Sequence, residues 1–283
     1  MEMEGVVSRD GTKISLRRTG IGPPLLLIHG TTADHSRWDA ISPPFEDIFS
    51  VYAMDRRGRG ESGDAPPYAL EREAEDVAAV VDGIGEPTAV LGHSYGALVG
   101  LEASLLTSGV SRLVLYEPPI LLGDADPHPA DVPERMARFI QEGALEEALL
   151  VFFREVVGMP EHELASYRKL PAWPVRIRLT PTILREMEAE RSYRFDPERF
   201  SRLQVPTLLL LGGDSPALFR EALEAVDSAL PESQIRTLPG QQHIAMDTAP
   251  ELFLRESLAF LHGQKAVEAE SPPLRRGPPP AAT

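Results

Sequence analysis

The sequence predicts an α/β protein: a mostly parallel, doubly wound sheet with an antiparallel N-terminal hairpin and an inserted helical lid. Three observations carry this reading. The run Leu25-Leu26-Leu27-Ile28 is continuously apolar, and similar runs recur at SVYAMD, TAVLGH, RLVLYE and TLLLLG. Such runs are expected of strands covered on both faces. Between them, LEREAEDVAAVVDGI and ALVGLEASLLTSG show helical spacing and each ends near a glycine. Strands alternating with helices imply parallel pairing through helical crossovers. The alternation then breaks once, between about Leu121 and Phe200, where PERMARFIQEGALEEALLVFFREVVG and TPTILREMEAERSY read as helices with no strand between them.

Taken in order, the chain opens with Val6 to Ser8 and Lys13 to Arg18 around Asp10-Gly11, a pair suited to a hairpin turn. The parallel strands follow after GIGPP. The helical insertion leaves the sheet after the strand ending near Glu117 and returns before the one starting near Thr207. It therefore emerges beside the carboxyl ends of strands, where open α/β sheets bind ligands. The expected division is a core of residues 1–120 and 201–263, a helical lid of residues 121–200, and a Pro-rich tail of residues 264–283 without periodicity, expected to be disordered.

Composition narrows the function classes. The 283 residues are 42% apolar and 25% charged, as in an ordinary globular chain able to bury a core. The 28 basic and 43 acidic residues leave a net charge of −15, which opposes general binding to nucleic acid or to an anionic membrane surface. With no cysteine, the chain has no disulfide, no thiolate metal site and no cysteine nucleophile. The start MEMEGVVSRDG is acidic where a signal peptide is basic, and no run reaches the length of a membrane span. A cytoplasmic protein acting on a small molecule, as a monomer or homodimer, is the expectation.

The stretch TAVLGHSYGALVGLEA carries the chemistry. Apolar residues run into Gly92-His93-Ser94-Tyr95-Gly96, and a helix pattern follows at once. Glycines on both sides of one serine suit a turn too tight for Cβ atoms. A serine on a sharp strand-to-helix turn projects its hydroxyl as a nucleophile, and the amide of the next residue, Tyr95, is placed to meet an oxyanion. A serine needs a base, and seven histidines are available. His243 stands apart: it lies in LPGQQHIAM, after the last strand pattern QIRTLPG and before a final helix that Pro250 helps to start.

HGTTADHSRW after the third strand, DRRGRGESG after the fourth, GHSYG after the fifth and GQQHIAM near the end together resemble the α/β-hydrolase superfamily, in its lid-bearing serine esterase, lactonase and haloperoxidase-like branch. The likeness covers about Gly5 to His262. It implies the α/β-hydrolase fold, with Ser94 as nucleophile, His243 as general base and then acid, and an oxyanion hole from the amides of Thr31 and Tyr95. His29-Gly30 would shape the turn presenting Thr31, and Arg56 to Gly63 would be a structural turn near the mouth. The reaction implied is hydrolysis of a carboxylic ester or lactone through an acyl-enzyme, without cofactor or metal. A perhydrolase or haloperoxidase, or a carbon–carbon bond hydrolase, would use the same groups, and a non-catalytic binding protein on this fold is the remaining alternative.

The third member of the triad departs from the family pattern. LLGGDSP puts Asp214 only two residues after Gly212 and leaves Ser215 where the family has its aspartate. RLVLYEPP instead offers Glu117 at the end of the preceding strand, a site used by some family members. Glu117 is the favoured acid and Asp214 the alternative, because a carboxylate fixes the imidazole tautomer by position. Trp38, Phe152, Phe153 and Trp173 are candidate walls of an apolar pocket.

Overall fold

The computed structural model describes residues 2–123 and 127–263. The strands are β1 (Glu2–Val7), β2 (Lys13–Thr19), β3 (Pro24–Ile28), β4 (Ser50–Met54), β5 (Thr88–His93), β6 (Val110–Tyr116), β7 (Thr207–Gly212) and β8 (Ser233–Leu238). The core helices are α1 (Pro43–Glu46), α2 (Leu70–Ile84) and α3 (Tyr95–Ala103). Between β6 and β7 come α4 (Val132–Gln141), α5 (Leu145–Val151), α6 (Glu161–Tyr167), α7 (Trp173–Leu179), α8 (Ile183–Ser192) and α9 (Pro197–Phe200). The chain closes with α10 (Ala217–Ala229), α11 (Ala245–Thr248) and α12 (Pro250–Leu261).

One eight-stranded sheet runs in the order β1-β2-β4-β3-β5-β6-β7-β8. The β1–β2 and β2–β4 pairs are antiparallel, and the pairs from β4 through β8 are parallel. The hairpin turns at Asp10-Gly11, with Gly11 at φ 89° and Val7 opposite Lys13, so the predicted dipeptide makes the predicted connection.

The apolar runs become strands because both faces have cover. Leu26 and Ile28 of β3 pack into one core with Val90, Leu115 and the helices α2, α3 and α10. Their neighbours Leu25 and Leu27 point the other way, into a second core with Phe45 and Phe253. Alternate residues of one strand thus serve opposite layers. α3 is buried at every position, so its sequence is apolar on all sides except at Glu102, which is paired with Arg199 and Tyr193. α2 ends at Gly85, in the left-handed conformation at φ 74° that a C-terminal cap demands.

The segment between β6 and β7 is helical, as predicted, and has its own apolar cluster around Met136, Leu149, Phe153, Trp173 and Ile183. Three of its helices, α6, α7 and α9, went unpredicted. The first two are 7 residues each and the last is 4, too short to show a periodic stripe. The expected disordered tail, residues 264–283, lies outside the described residues, as do residues 124–126 of the insertion.

Candidate active site

Parallel pairing places the carboxyl ends of β3, β5 and β6 side by side, so the turns that follow them share one edge of the sheet. Among the described residues, the non-glycine residues with positive φ are Thr32 (59°), Ser94 (56°) and Glu117 (47°), one in each of these turns. Strained backbone of this kind survives where the surroundings over-determine it, and it gathers at functional sites.

Ser94 joins β5 to α3 at φ 56° and ψ −127°. The turn is tight because glycines allow it: a Cβ on Gly96 would stand 2.4 Å from the carbonyl oxygens of Ile28 and His29, and one on Gly92 2.5 Å from that of Gly96. Gly30 is equally constrained, since a Cβ there would lie 2.8 Å from the Ser94 Cβ. The Ser94 amide donates to the Tyr116 carbonyl at 2.8 Å, tying the turn to β6. Tyr95 is the first residue of α3, so its amide has no acceptor within that helix.

His243 sits in the loop between β8 and α11. Its Nδ1 donates to Glu117 Oε2 at 2.6 Å, while Glu117 Oε1 accepts the Gly212 amide at 2.7 Å. Glu117 is fully buried, and both its oxygens are occupied. Asp214 does not meet His243: it lies on the turn after β7, its amide bonded to the Gln241 carbonyl. Between the two carboxylates weighed from the sequence, the geometry puts Glu117 on the imidazole.

The imidazole is held on its faces and through its loop. The Phe219 ring stacks on it at 4.7 Å, and the His93 ring lies 4.8 Å away. His93 Nε2 donates to the His243 carbonyl at 2.8 Å, and the Tyr116 hydroxyl, which donates to the Gln242 carbonyl, accepts the Ala245 amide. Burial, and then the nearby His243, hold His93 well below its ordinary value, so it acts as a neutral donor. His29 is likewise neutral, held down by burial and the Arg56 guanidinium. Its Nε2 accepts the Arg56 amide at 3.1 Å, and its Nδ1 donates to the Gly30 carbonyl at 2.8 Å. His29 thus braces the turn carrying Thr31, while His93 braces the one carrying His243.

Ser94, His243 and Thr31 line one narrow cleft together with Phe152, Phe153, Val157, Tyr167 and Arg176 of the helical insertion. Of the four predicted pocket aromatics, Phe152 and Phe153 are there and two are not. Trp38 is fully buried in the core beneath the sheet. Trp173 is packed inside the insertion, stacked on Phe153 at 5.9 Å with its indole donating to Glu146. Both have the size and apolarity of a pocket wall, and only long-range packing separates the two uses. The cleft also holds Arg37 and Arg176, which sequence reasoning missed. A faint signal existed: Arg176 falls three residues after Trp173 and four before Thr180, on the buried face of its helix.

A carboxylate that accepts a hydrogen bond from Nδ1–H keeps the proton on that nitrogen and leaves the imidazole Nε2 free to accept another, so the cleft can remove a proton from a hydroxyl and return it. Among the described residues, Asp34, His35 and Asp55 are the one group close enough to hold a metal ion. His35 is already engaged with Asp55, its Nδ1 2.8 Å away, and that hydrogen bond raises its pKa.

The likenesses to other proteins agree with this architecture. An alpha/beta hydrolase from Sphaerobacter thermophilus superposes with a TM-score of 0.80 at 33% identity, covering 91% of this chain and 100% of that one. The structure of an esterase from Rhodococcus sp. ECU1013 gives a TM-score of 0.74 at 26% identity, over 94% of this chain and 100% of that one. The 2-(acetamidomethylene)succinate hydrolase of Mesorhizobium japonicum is 25% identical over 266 residues, which are 88% of this chain and 91% of that protein. Residues 25–256, from β3 into the last helix, match the Alpha/beta hydrolase family, and the chain belongs to that family.

Proposed function

We propose that this hydrolase cleaves a carboxylic ester or lactone through an acyl-enzyme on Ser94. The observation that carries the reading is the His243 imidazole, held at Nδ1 by the buried Glu117 in the same cleft as a serine at a strained strand-to-helix turn. Ser94 Oγ attacks the carbonyl carbon while His243 Nε2 takes its proton. The amides of Thr31 and Tyr95 receive the oxyanion, and the alkoxide leaves with the proton from His243. Water, deprotonated by the same imidazole, then releases the acid and restores Ser94. No step draws on a metal or cofactor. Glu117 holds the tautomer and stabilises the imidazolium without being protonated. The helical insertion acts as a lid, a role supported by the five residues it contributes to the cleft: Phe152, Phe153, Val157, Tyr167 and Arg176.

A second reading has one observation in its favour. The name of the Mesorhizobium relative contains an acetamido group, and the same groups would hydrolyse an amide, with His243 protonating a nitrogen in place of an oxygen. Labelling with a fluorophosphonate, followed by turnover of matched p-nitrophenyl esters and anilides, tests both. Ser94→Ala is expected to abolish labelling and to lower turnover by on the order of 10⁴-fold or more while leaving the folded spectrum intact. Unchanged ester turnover in that variant sinks the proposal, and faster anilide than ester cleavage by the wild type moves it to the amide.

A further inference from the structure

Arg176 is a buried cation that forms no ion pair among the described residues. It is 5% exposed, on α7, and lines the cleft with Ser94 and His243. Nη1 donates to Thr32 Oγ1 at 3.2 Å and reaches the Thr32 carbonyl at 3.5 Å. These are its hydrogen bonds among the described residues, and no carboxylate stands within ion-pair distance of it there. The guanidinium lies over the Tyr167 ring, 4.6 Å from its centre. Burial lowers its pKa from the ordinary guanidinium value, yet a guanidinium stays charged at neutral pH.

The carboxylates around the cleft are spent elsewhere. Arg37, the other cleft arginine, takes both oxygens of Asp247, at 3.0 and 2.6 Å. Glu117 is filled by His243 and Gly212. Asp34 accepts the amide and hydroxyl of Ser36 at the start of a short helical turn. An uncompensated buried charge is costly, so it persists where something outside the fold answers it.

What would answer it follows from the free edge of the group. With Nη1 on Thr32, Nε and Nη2 remain, two parallel N–H donors in the spacing that a carboxylate fills side-on. Arg176 and Arg37 also line a second, wider cleft of about 310 Å³ with Ala172 and Val175. Thr32, which it grips, follows Thr31 directly in the chain. An anion on Arg176 therefore lies a short span from a carbonyl held at the Thr31 amide.

We propose that the substrate carries a free carboxylate a few bonds from its scissile carbonyl, and that Arg176 binds that carboxylate. The proposal rests on the reading of Ser94 given above. It defines the substrate as a half-ester, or half-amide, of a small dicarboxylic acid.

The test compares 4-nitrophenyl hydrogen glutarate with its methyl ester, which has the same chain and no charge. Wild-type kcat/KM is expected to favour the acid by about 30-fold or more. Arg176→Gln should collapse that ratio towards one, chiefly through a higher KM for the acid. Arg178→Gln, an exposed arginine two residues on, should keep it. Arg176→Lys retains the charge without the fork and should fall between, which decides the matter if the glutamine variant does not fold. A wild-type ratio of one or less, or a ratio untouched in Arg176→Gln or Arg176→Lys, overturns the proposal. If neither ester is turned over, the failure belongs to the reading of Ser94. Calorimetric titration with glutarate then decides the carboxylate site: binding to the wild type and weakened binding to either Arg176 variant support it, and equal binding overturns it.

Discussion

The turn after β4 and the cleft above Ser94 both bury arginines, and they treat them in opposite ways. In the turn, Arg56, Arg57 and Arg59 are almost wholly buried and each finds a carboxylate. Arg56 is bidentate to Glu73 at 2.8 Å for both bonds and also meets Glu186. Arg57 is bidentate to Asp76 at 2.7 Å, and Arg59 joins Arg56 on Glu186. In the cleft, Arg37 is matched by Asp247 and Arg176 by no carboxylate among the described residues. Charges answered inside the fold hold elements together: Glu186 comes from α8 of the insertion and Glu73 from α2, so one network ties the insertion to the core. The Arg56 guanidinium also lies over the Tyr95 ring, and the Tyr95 hydroxyl meets Tyr68, which donates to Glu73. The network thus reaches the residue beside Ser94. Arg176 binds the fold through Thr32 and the Tyr167 ring alone, without an ion pair among the described residues.

If the two regions divide the work this way, stability and activity should separate between them. The largest effect is expected from Glu117→Gln, which keeps an acceptor for the Gly212 amide and loses the charge on His243. Turnover should drop by on the order of 10⁴-fold. The denaturation midpoint should move little. A loss of stability in proportion to the loss of rate would erase the distinction between cleft and turn.

Next comes Glu186→Gln, which removes a charge shared by two buried guanidinium groups. Breaking a buried ion pair from one side costs about 3–5 kcal/mol, and urea unfolding should show a loss in that range or, because Glu73 remains beside both arginines, at its lower end. The variant that stays folded should keep most of its kcat. A change below about 0.5 kcal/mol, the size of an ordinary surface substitution, would mean the turn is not held by its ions. The smallest effect belongs to Asp214→Asn, whose kcat/KM should stay within about threefold, since no hydrogen bond links it to His243 and a bond to a charged group is worth about 1.5–3 kcal/mol. A loss approaching that of Glu117→Gln would reassign the acid.

The turn at Ser94 was legible because it is local. GHSYG demands a tight turn through its glycines, and the strand and helix patterns on either side place that turn without knowledge of any distant residue. The turn after β4 was legible only as a turn. Its ion network left a trace in α2, where Glu73 and Asp76 fall on the same buried face as Val77 and Val80. A charge on an apolar stripe signals a buried partner. The identity of that partner was not recoverable, because Glu186 lies 130 residues beyond Arg56 in the chain.

By itself the sequence determined the α/β class, the mostly parallel sheet with its N-terminal antiparallel hairpin at Asp10-Gly11, the serine turn and the helical character of the segment between β6 and β7. These follow from side-chain period and backbone permission, which act over a few neighbouring residues. The tertiary structure alone decided that Glu117 meets an imidazole 126 residues away, that Trp38 and Trp173 are packing while Phe152 and Phe153 face the cleft, and that Arg176 enters it beside Ser94. Hydrogen bonds and burial depend on where remote segments stop against one another to within a few tenths of an ångström. That position is set by the close packing of the whole interior.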